Sequence, residues 1–561
     1  MTGPNGPRGS GPGGSSGPGD PSGPADVLLV QVHADDPMAK AFTGECLGLG
    51  YLAAALRRRG FGVAIVDANL EVLDAAALPG IVRAARPAVL GLTLCQGSYG
   101  ILRQYLGALQ AAGAVPPHIV LGGQFASLGS DVIMAERGTP VELVEAILRG
   151  EADDTLPEYV ARAAAGRPLD GIPGIVPRDG AASATGAASA TGAAPLGPPP
   201  MQLDLDRLPF PDRDTLPAAL ARRGWTNICS SRGCYGTCGF CSLHAFSRGA
   251  GAPRWRARSP ENVAAEMEQV HREFGVTMFR FVDDNFLGGA PEASRERAVR
   301  IAELAGRRIA GLAFAFQCRV TDVDRDTFAR LGRHGLHSVY LGVESGTQAG
   351  LDHLGKGVTV AQNRRALETL DALGLRYQLG FIAFHLDATL ESLQGDAGFL
   401  REVGVLAPDA LTRRLQLYLG TPLRRVAEGR GWRPLDLSEV EFSYNDPAVE
   451  GMFWAANALY GCYEGVLLDM DRAALPDAPS RQLEFLAIGA RLRESFFDQF
   501  EELLALLRRA PAGGVPGAAG VSRAITGMDF TSSGPGSGVL AVVGRAAARV
   551  AEARSGLVGL C

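Results

Sequence analysis

Apolar residues fall into short, nearly continuous runs separated by helical stretches. Val27 to Val32 is apolar on both faces, as a strand buried in a parallel sheet must be. Leu47 to Arg59 repeats its apolar positions with helical periodicity, Gly60 closes it, and Phe61 to Asp67 reads as a second strand. The alternation continues with a helix near 72–85, a strand at Val89 to Leu94, a helix near 98–112 and a strand at His118 to Leu121. This spacing predicts a doubly wound parallel sheet over 25–177. Ligands of such sheets lie beyond the carboxyl ends of the strands, which singles out His33 to Thr43, Thr93 to Tyr99, Gly122 to Ser127 and Gly150 to Asp154. No G-x-G-x-x-G follows the first strand, so the dinucleotide fingerprint is missing.

A second alternating region occupies 201–434. Strands are expected at Trp225 to Cys229, Met278 to Val282, Ala313 to Cys318, Ser338 to Val343, Tyr377 to Phe384 and Thr412 to Leu419. Pro260 to Glu273 is a helix capped by Ser259, with proline in its first turn. Six strands with intervening helices predict a partial (β/α)6 barrel, whose chemistry belongs at the carboxyl ends of its strands. From 435 to 510 the pattern is helical and aromatic. Residues 1–24, a Gly/Pro/Ser lead, and 178–200, with its Ala-Ala-Ser-Ala-Thr-Gly repeat, cannot bury a core and are expected to be disordered and flexible, respectively. The tail, 511–561, is expected to be poorly ordered apart from a helix at Val539 to Ala553.

Composition narrows the function. The 54 Lys and Arg against 60 Asp and Glu leave a net charge of -6, without the basic face that nucleic acid demands. The lead at 1–24 has no apolar h-region and reads as neither a signal peptide nor a membrane span. Nine cysteines, an odd number scattered but for one cluster, are not a disulfide framework and fit a reducing cytoplasm.

That cluster is Cys234-Tyr235-Gly236-Thr237-Cys238-Gly239-Phe240-Cys241, three thiols within eight residues. Thiolates are the usual ligands of iron–sulfur clusters, and a four-iron cubane held by three of them keeps one iron open for chemistry. A structural zinc site would need a fourth ligand, and no second C-x2-C or H-x3-H follows. Cys229 is either a buried strand cysteine or that fourth ligand. The C-x3-C-x2-C spacing, with Phe240 before the last cysteine, resembles the signature of the radical S-adenosylmethionine (SAM) superfamily. The resemblance implies a 4Fe-4S cluster on Cys234, Cys238 and Cys241, SAM chelated to the open iron, and reductive cleavage to a 5′-deoxyadenosyl radical. An external donor such as flavodoxin or ferredoxin would supply the electron.

The segments Phe281 to Phe286, Leu341 to Gly346, Gly355-Lys356-Gly357 and Tyr418 to Pro422 are similar to further segments of that family. The similarity implies that Phe240, Asp283, Asp284, Asn285, Gln317, Arg319 and Glu344 surround SAM. Helix capping is the alternative for Asp283 and Asp284. The order of domains, with Leu121 to Ser127 and Leu148 to Asp153, resembles the branch in which a Rossmann-like cobalamin-binding domain precedes the radical domain. By that likeness Thr93, Leu94, Gln96, Gly122, Gly123, Gln124, Gly150 and Glu151 would contact cobalamin. The D-x-H-x-x-G motif is absent, so no histidine is expected on cobalt, and His33 and His118 read as hydrogen-bonded loop residues. Where the family usually has Phe-x-Pro, this chain has Phe384-His385-Leu386-Asp387. His385 and Tyr418 are the catalytic candidates, and a drifted loop is the other reading of His385 and Asp387.

The expected function is therefore methylation of an unactivated carbon in a small molecule or peptide-derived product, using methylcobalamin and SAM. A non-methylating cobalamin-dependent radical enzyme, carrying out cyclisation, ring contraction or hydroxylation, is the alternative. A structural metal or redox-sensing module is the reading from outside the enzyme class.

Overall fold

The computed structural model describes residues 24–33, 44–70, 73–169, 171–178, 200–222, 224–246, 253–289, 292–434, 437–472, 479–509 and 537–558. The lead (except Pro24), nearly all of the insertion at 178–200, most of the His33 to Thr43 loop and the tail up to 536 lie outside them. The chain divides into two units: 1–202 with 207–226, and 203–206 with 227–561.

The first unit is built on a six-stranded sheet: β1 (Val27–Gln31), β2 (Val63–Asp67), β3 (Val89–Thr93), β4 (His118–Gly122), β5 (Ala146–Leu148) and β6 (Ile175–Pro177), in the order β2-β1-β3-β4-β5-β6. The first five pair in parallel, and β6 runs antiparallel at the edge. Every residue of β1 and β2 is buried, which the unbroken apolar runs anticipated. The sequence pattern missed β5 and β6, three residues each and too short to show a period. A strap at 207–226 returns to this unit. Its Asp212 and Asp214 grip Arg57 at 2.7 and 2.6 Å, and its Arg213 meets Glu45 in an ion pair with both side chains at 5% exposure or less.

The second unit holds β7 (Thr226–Ile228), a short antiparallel ribbon of β8 (Ser231–Gly233) and β9 (Trp255–Ala257), then β10 (Met278–Phe281), β11 (Ala313–Arg319), β12 (Leu336–Glu344) and β13 (Arg376–Phe381). Five of these form an open sheet, β13-β12-β11-β10-β7, with β10 to β13 parallel. Ser259 caps the Pro260–Phe274 helix by accepting from Asn262 N, as expected. The sixth strand expected at Thr412 to Leu419 does not form. It keeps a single parallel bridge, Phe384 to Arg414, because Leu417 N turns to Val440 O on the other side. Three long helices, Pro447–Arg472, Pro479–Arg509 and Ser537–Val558, pack on one another, and Arg401 of the Leu390–Glu402 helix binds Glu494, Asp498 and Glu501. No helix among the described residues is long and apolar enough to cross a membrane.

Beneath β12, the buried carboxyl of Asp396 accepts from Ser345 Oγ at 2.8 Å and Gly346 N at 2.7 Å, fixing the turn after the strand. Burial pushes it up to about 7, against the pull of those donors. A carboxyl raised in the fold favours the native state while protonated. Its contribution is complete below the unfolded value of 3.8 and is lost as pH rises to about 7. Asp396→Asn should therefore gain on the parent in urea denaturation as pH climbs from about 4 to about 7, and a pH-independent difference would refute this. Arg213→Met removes the ion-pair partner of the buried Glu45, which should cost ~3–5 kcal/mol in the same assay, and adding Glu45→Leu should restore most of it.

Candidate functional site

The cysteine loop leaves the sheet at β7 and is held by what faces it. Asp283, just past β10, accepts from Ser230 N at 3.1 Å and from the hydroxyls of Ser230 and Ser231. Asp284 accepts from Gly233 N at 2.9 Å. Gly233 has φ +93, and a Cβ there would lie 2.0 Å from Arg254 O, so only glycine lets β8 turn into Cys234. Asn285 donates to Asp322 at 2.8 Å and accepts from Gly288 N at 2.7 Å, and Tyr235 of the loop donates to the same Asp322 at 2.6 Å. These side chains tie the loop to the sheet ends. Neither aspartate caps a helix.

Cys234, Cys238 and Cys241 line one pocket with Gly236, Leu243, His244 and Arg254. A Cβ on Gly236 would lie 2.7 Å from Arg319 Nη1 and 3.5 Å from Cys234 Sγ, so that wall has room only for hydrogen. Among the described residues no three His, Cys, Asp or Glu close on a point as a single metal ion requires. Three soft donors spread around a glycine-lined pocket fit a cluster, whose cysteines each take a different iron. Burial pushes Cys241 up to about 11 and raises Cys234. Cys229 stands apart from this wall: its thiol donates to Ser231 O at 3.3 Å, and burial pushes it up to about 12.

Arg319, at the end of β11, places Nη1 3.1 Å from Cys238 Sγ and its guanidinium 5.5 Å from the Tyr235 ring centroid. Its Nη2 donates to the carbonyl of Lys356, whose ammonium meets Glu344 Oε1 at 2.6 Å. Burial works against the charge on Lys356, and Glu344 holds its pKa above the ordinary value nonetheless. Glu344 ends β12 with φ +68, a left-handed backbone on a residue other than glycine. Gln317 donates to Asp283 O at 2.8 Å. Lys356 was missed as a site residue in the sequence. It lies in a loop twelve residues after its partner, and only its Gly-Lys-Gly setting marked it.

The remaining candidates sit elsewhere. Phe240 packs with Leu354, Leu417 and Leu423 in an apolar cluster beside the loop. Tyr418 donates to Gln416 in the irregular stretch after β13. His385 is 2% exposed, with neither ring nitrogen hydrogen-bonded, and it stacks on His353 with centroids 4.9 Å apart. Asp387 is paired with His353 and Arg430.

In the first unit the other candidates gather at the carboxyl ends of β3, β4 and β5. Thr93 ends β3, Gln96 is half-buried, and Gly122 ends β4 with open space where a side chain would stand. Gly123 opens the Gly123–Leu128 helix at φ +90, where a Cβ would strike Leu94 O at 2.5 Å, and Gln124 follows it. Leu94 itself is core at 1% exposure. Gly150 N donates to Ser127 Oγ at 3.1 Å, and Glu151 accepts from Gln202 N at 2.8 Å. An edge with open space at one glycine and backbone contact at the next is a cradle that suits a broad planar cofactor. His118 lies at the opposite end of β4, paired with Glu145 at 2.7 Å.

Residues 228–400 match the radical SAM superfamily model. Among curated proteins, the uncharacterized methyltransferase PH0819 of Pyrococcus horikoshii is 27% identical over 368 residues, 65% of this chain and 74% of that protein. The anaerobic magnesium-protoporphyrin IX monomethyl ester cyclase of Rubrivivax gelatinosus is 29% identical over 365 residues, 62% of this chain and 60% of the enzyme. Among solved structures, the cobalamin-dependent SAM radical enzyme OxsB with aqua-cobalamin superposes with a TM-score of 0.71 at 18% identity, covering 96% of this chain and 80% of OxsB. The radical SAM methyltransferase TsrM from Kitasatospora setae, with cobalamin and a [4Fe-4S] cluster, gives 0.53 at 19% identity, covering 72% of this chain and 74% of TsrM. Residues 228–400 are thus similar to the radical SAM superfamily, and the fold of the chain is that of OxsB.

Proposed function

We propose that this protein is a cobalamin-dependent radical SAM methyltransferase that places a methyl group on an unactivated carbon of a small molecule or a peptide-derived product. The observation that carries the reading is the pocket walled by Cys234, Cys238 and Cys241 with the Arg319 guanidinium against Cys238. When bound, the cluster and SAM supply a hydrogen-abstracting radical, and cobalamin supplies the methyl group.

The chain's own residues have positioning roles in this reading. Asp283 and Asp284 fix the backbone entering the cysteine loop, and Tyr235 and Asn285 share Asp322 on its far side. Arg319 directs a cationic donor at a cluster thiolate, an outer-shell contact of the kind that tunes cluster potential. Glu344 and Lys356 form a buried pair beside it, whose charges suit the zwitterionic amino-acid end of SAM. The Gly122-Gly123 edge of the first unit would hold cobalamin. PH0819 and TsrM carry methyltransferase names, which supports methylation, and the cyclase relative keeps a non-methylating outcome in view.

Anaerobic reconstitution should load about four irons per chain, in line with three thiolates around a cubane. Cys238→Ala should lose nearly all of them and Cys229→Ala none. Iron lost on changing Cys229 would make it the fourth ligand and remove the open corner. The reconstituted enzyme with cobalamin, SAM and reductant should release S-adenosylhomocysteine together with 5′-deoxyadenosine on turnover. Release of 5′-deoxyadenosine alone would assign the non-methylating chemistry.

A further inference from the structure

In the first unit Arg57, Arg103, Arg162 and Arg213 each close an ion pair, and Arg178 donates to four backbone carbonyls. Arg149 does neither. Its Nη1 is buried with no hydrogen-bond partner among the described residues, and no carboxylate among them comes within ion-pair distance of its guanidinium. A cation taken from water without a partner is costly, and only a ligand can repay that cost here. Burial holds the group below the ordinary guanidinium value, while Asp131 pulls the other way. It still carries its charge at pH 7.

Arg149 directly follows β5 and directly precedes Gly150, so it stands at the edge where the glycine cradle lies. The backbone there is fixed: Arg149 N donates to Gly174 O at 2.9 Å, and Gly150 N donates to Ser127 Oγ at 3.1 Å. Side chains alternate along a strand, and Ala146 and Leu148 pack in one core cluster with Leu49, Ala53, Leu156 and Tyr159. Ile147 and Arg149 therefore stand on the opposite face. That is the side of Asp131, in the first turn of the Ser130–Ala135 helix, and both this helix and Gly123–Leu128 pack against β5. Gly123 opens the second of these helices, and Gly122, at the end of the neighbouring strand β4, has open space where a side chain would stand. The unpaired cation is thus one strand over from the open position of the cradle.

The next step rests on the cobalamin reading given above. The side chains around a corrin ring end in neutral carboxamides, which backbone N–H and carbonyl groups satisfy without any charge. The nucleotide tail differs, because a phosphodiester joins it to the ring and carries a full negative charge. A guanidinium suits that group through its planar fork of N–H donors, and Arg149 can turn to it without breaking an existing bond. We propose that Arg149 binds the phosphodiester of the cobalamin nucleotide tail, and that the first unit thereby selects the complete cofactor over corrinoids lacking the tail.

Equilibrium dialysis of the purified full-length chain against aquacobalamin and against diaquacobinamide, which has the corrin ring but no nucleotide tail, isolates this contact. The parent should bind cobalamin at least about tenfold more tightly than cobinamide. Arg149→Met should weaken cobalamin about tenfold and leave cobinamide within about twofold. Arg149→Lys, which keeps the charge and loses the fork, should fall between the two. No partner is stranded by either change, so neither variant should melt earlier than the parent without corrinoid. Equal affinity of the parent for both corrinoids, unchanged cobalamin affinity in Arg149→Met, or equal loss of both ligands would overturn the proposal and leave the cobalamin reading standing. A parent that binds neither corrinoid would defeat that reading, and this proposal with it.

Discussion

Three thiols have to face one small pocket from a loop with almost no regular structure of its own, and the second unit is arranged to meet that constraint. The loop's backbone cannot hold itself, because the glycines at 233, 236 and 239 leave it flexible. Rigidity comes from groups on strand ends. Asp283 and Asp284 clamp the entry, Asp322 receives Tyr235 and Asn285 together, and Leu354 O accepts Gly239 N at 2.8 Å near the exit. Each anchor lies just beyond a strand of the parallel sheet or in a helix that follows one, so the sheet's register sets the loop's geometry.

Electrostatics follows the same plan. Taking three thiols out of water favours their neutral form, as the raised values of Cys234 and Cys241 show, whereas a cluster needs them as thiolates. Arg319 stands where it offsets that penalty, and Tyr235 and the Lys356 carbonyl prevent it from swinging away. A buried guanidinium in an apolar setting is costly on its own. Here a thiol, a ring face and a carbonyl each take part of its charge.

Much of this was legible in the sequence, and the exceptions have physical causes. Long buried strands announced themselves because both faces are apolar, and the cysteine spacing identified the cluster loop before any coordinates. The three-residue β5 and β6 carried too few positions to show a period. Thr412 to Leu419 had strand composition, yet its hydrogen bonds divide between Phe384 and Val440, a tertiary choice no local pattern records. Asp283 and Asp284 were expected around SAM from the resemblance, while their bonds to Ser230, Ser231 and Gly233 could be seen only once the strand ends were side by side.

The left-handed backbone at Glu344 has a consequence for how this protein can change. Such a conformation on a residue with a side chain stores on the order of 1–3 kcal/mol, which glycine at the same place would release. Drift toward greater thermal robustness would therefore favour losing the carboxylate, and with it the counterion of a lysine sealed inside the unit. That the position carries an acid means the molecule holds a tense joint where a relaxed one was available, exchanging durability for the placement of a single negative charge.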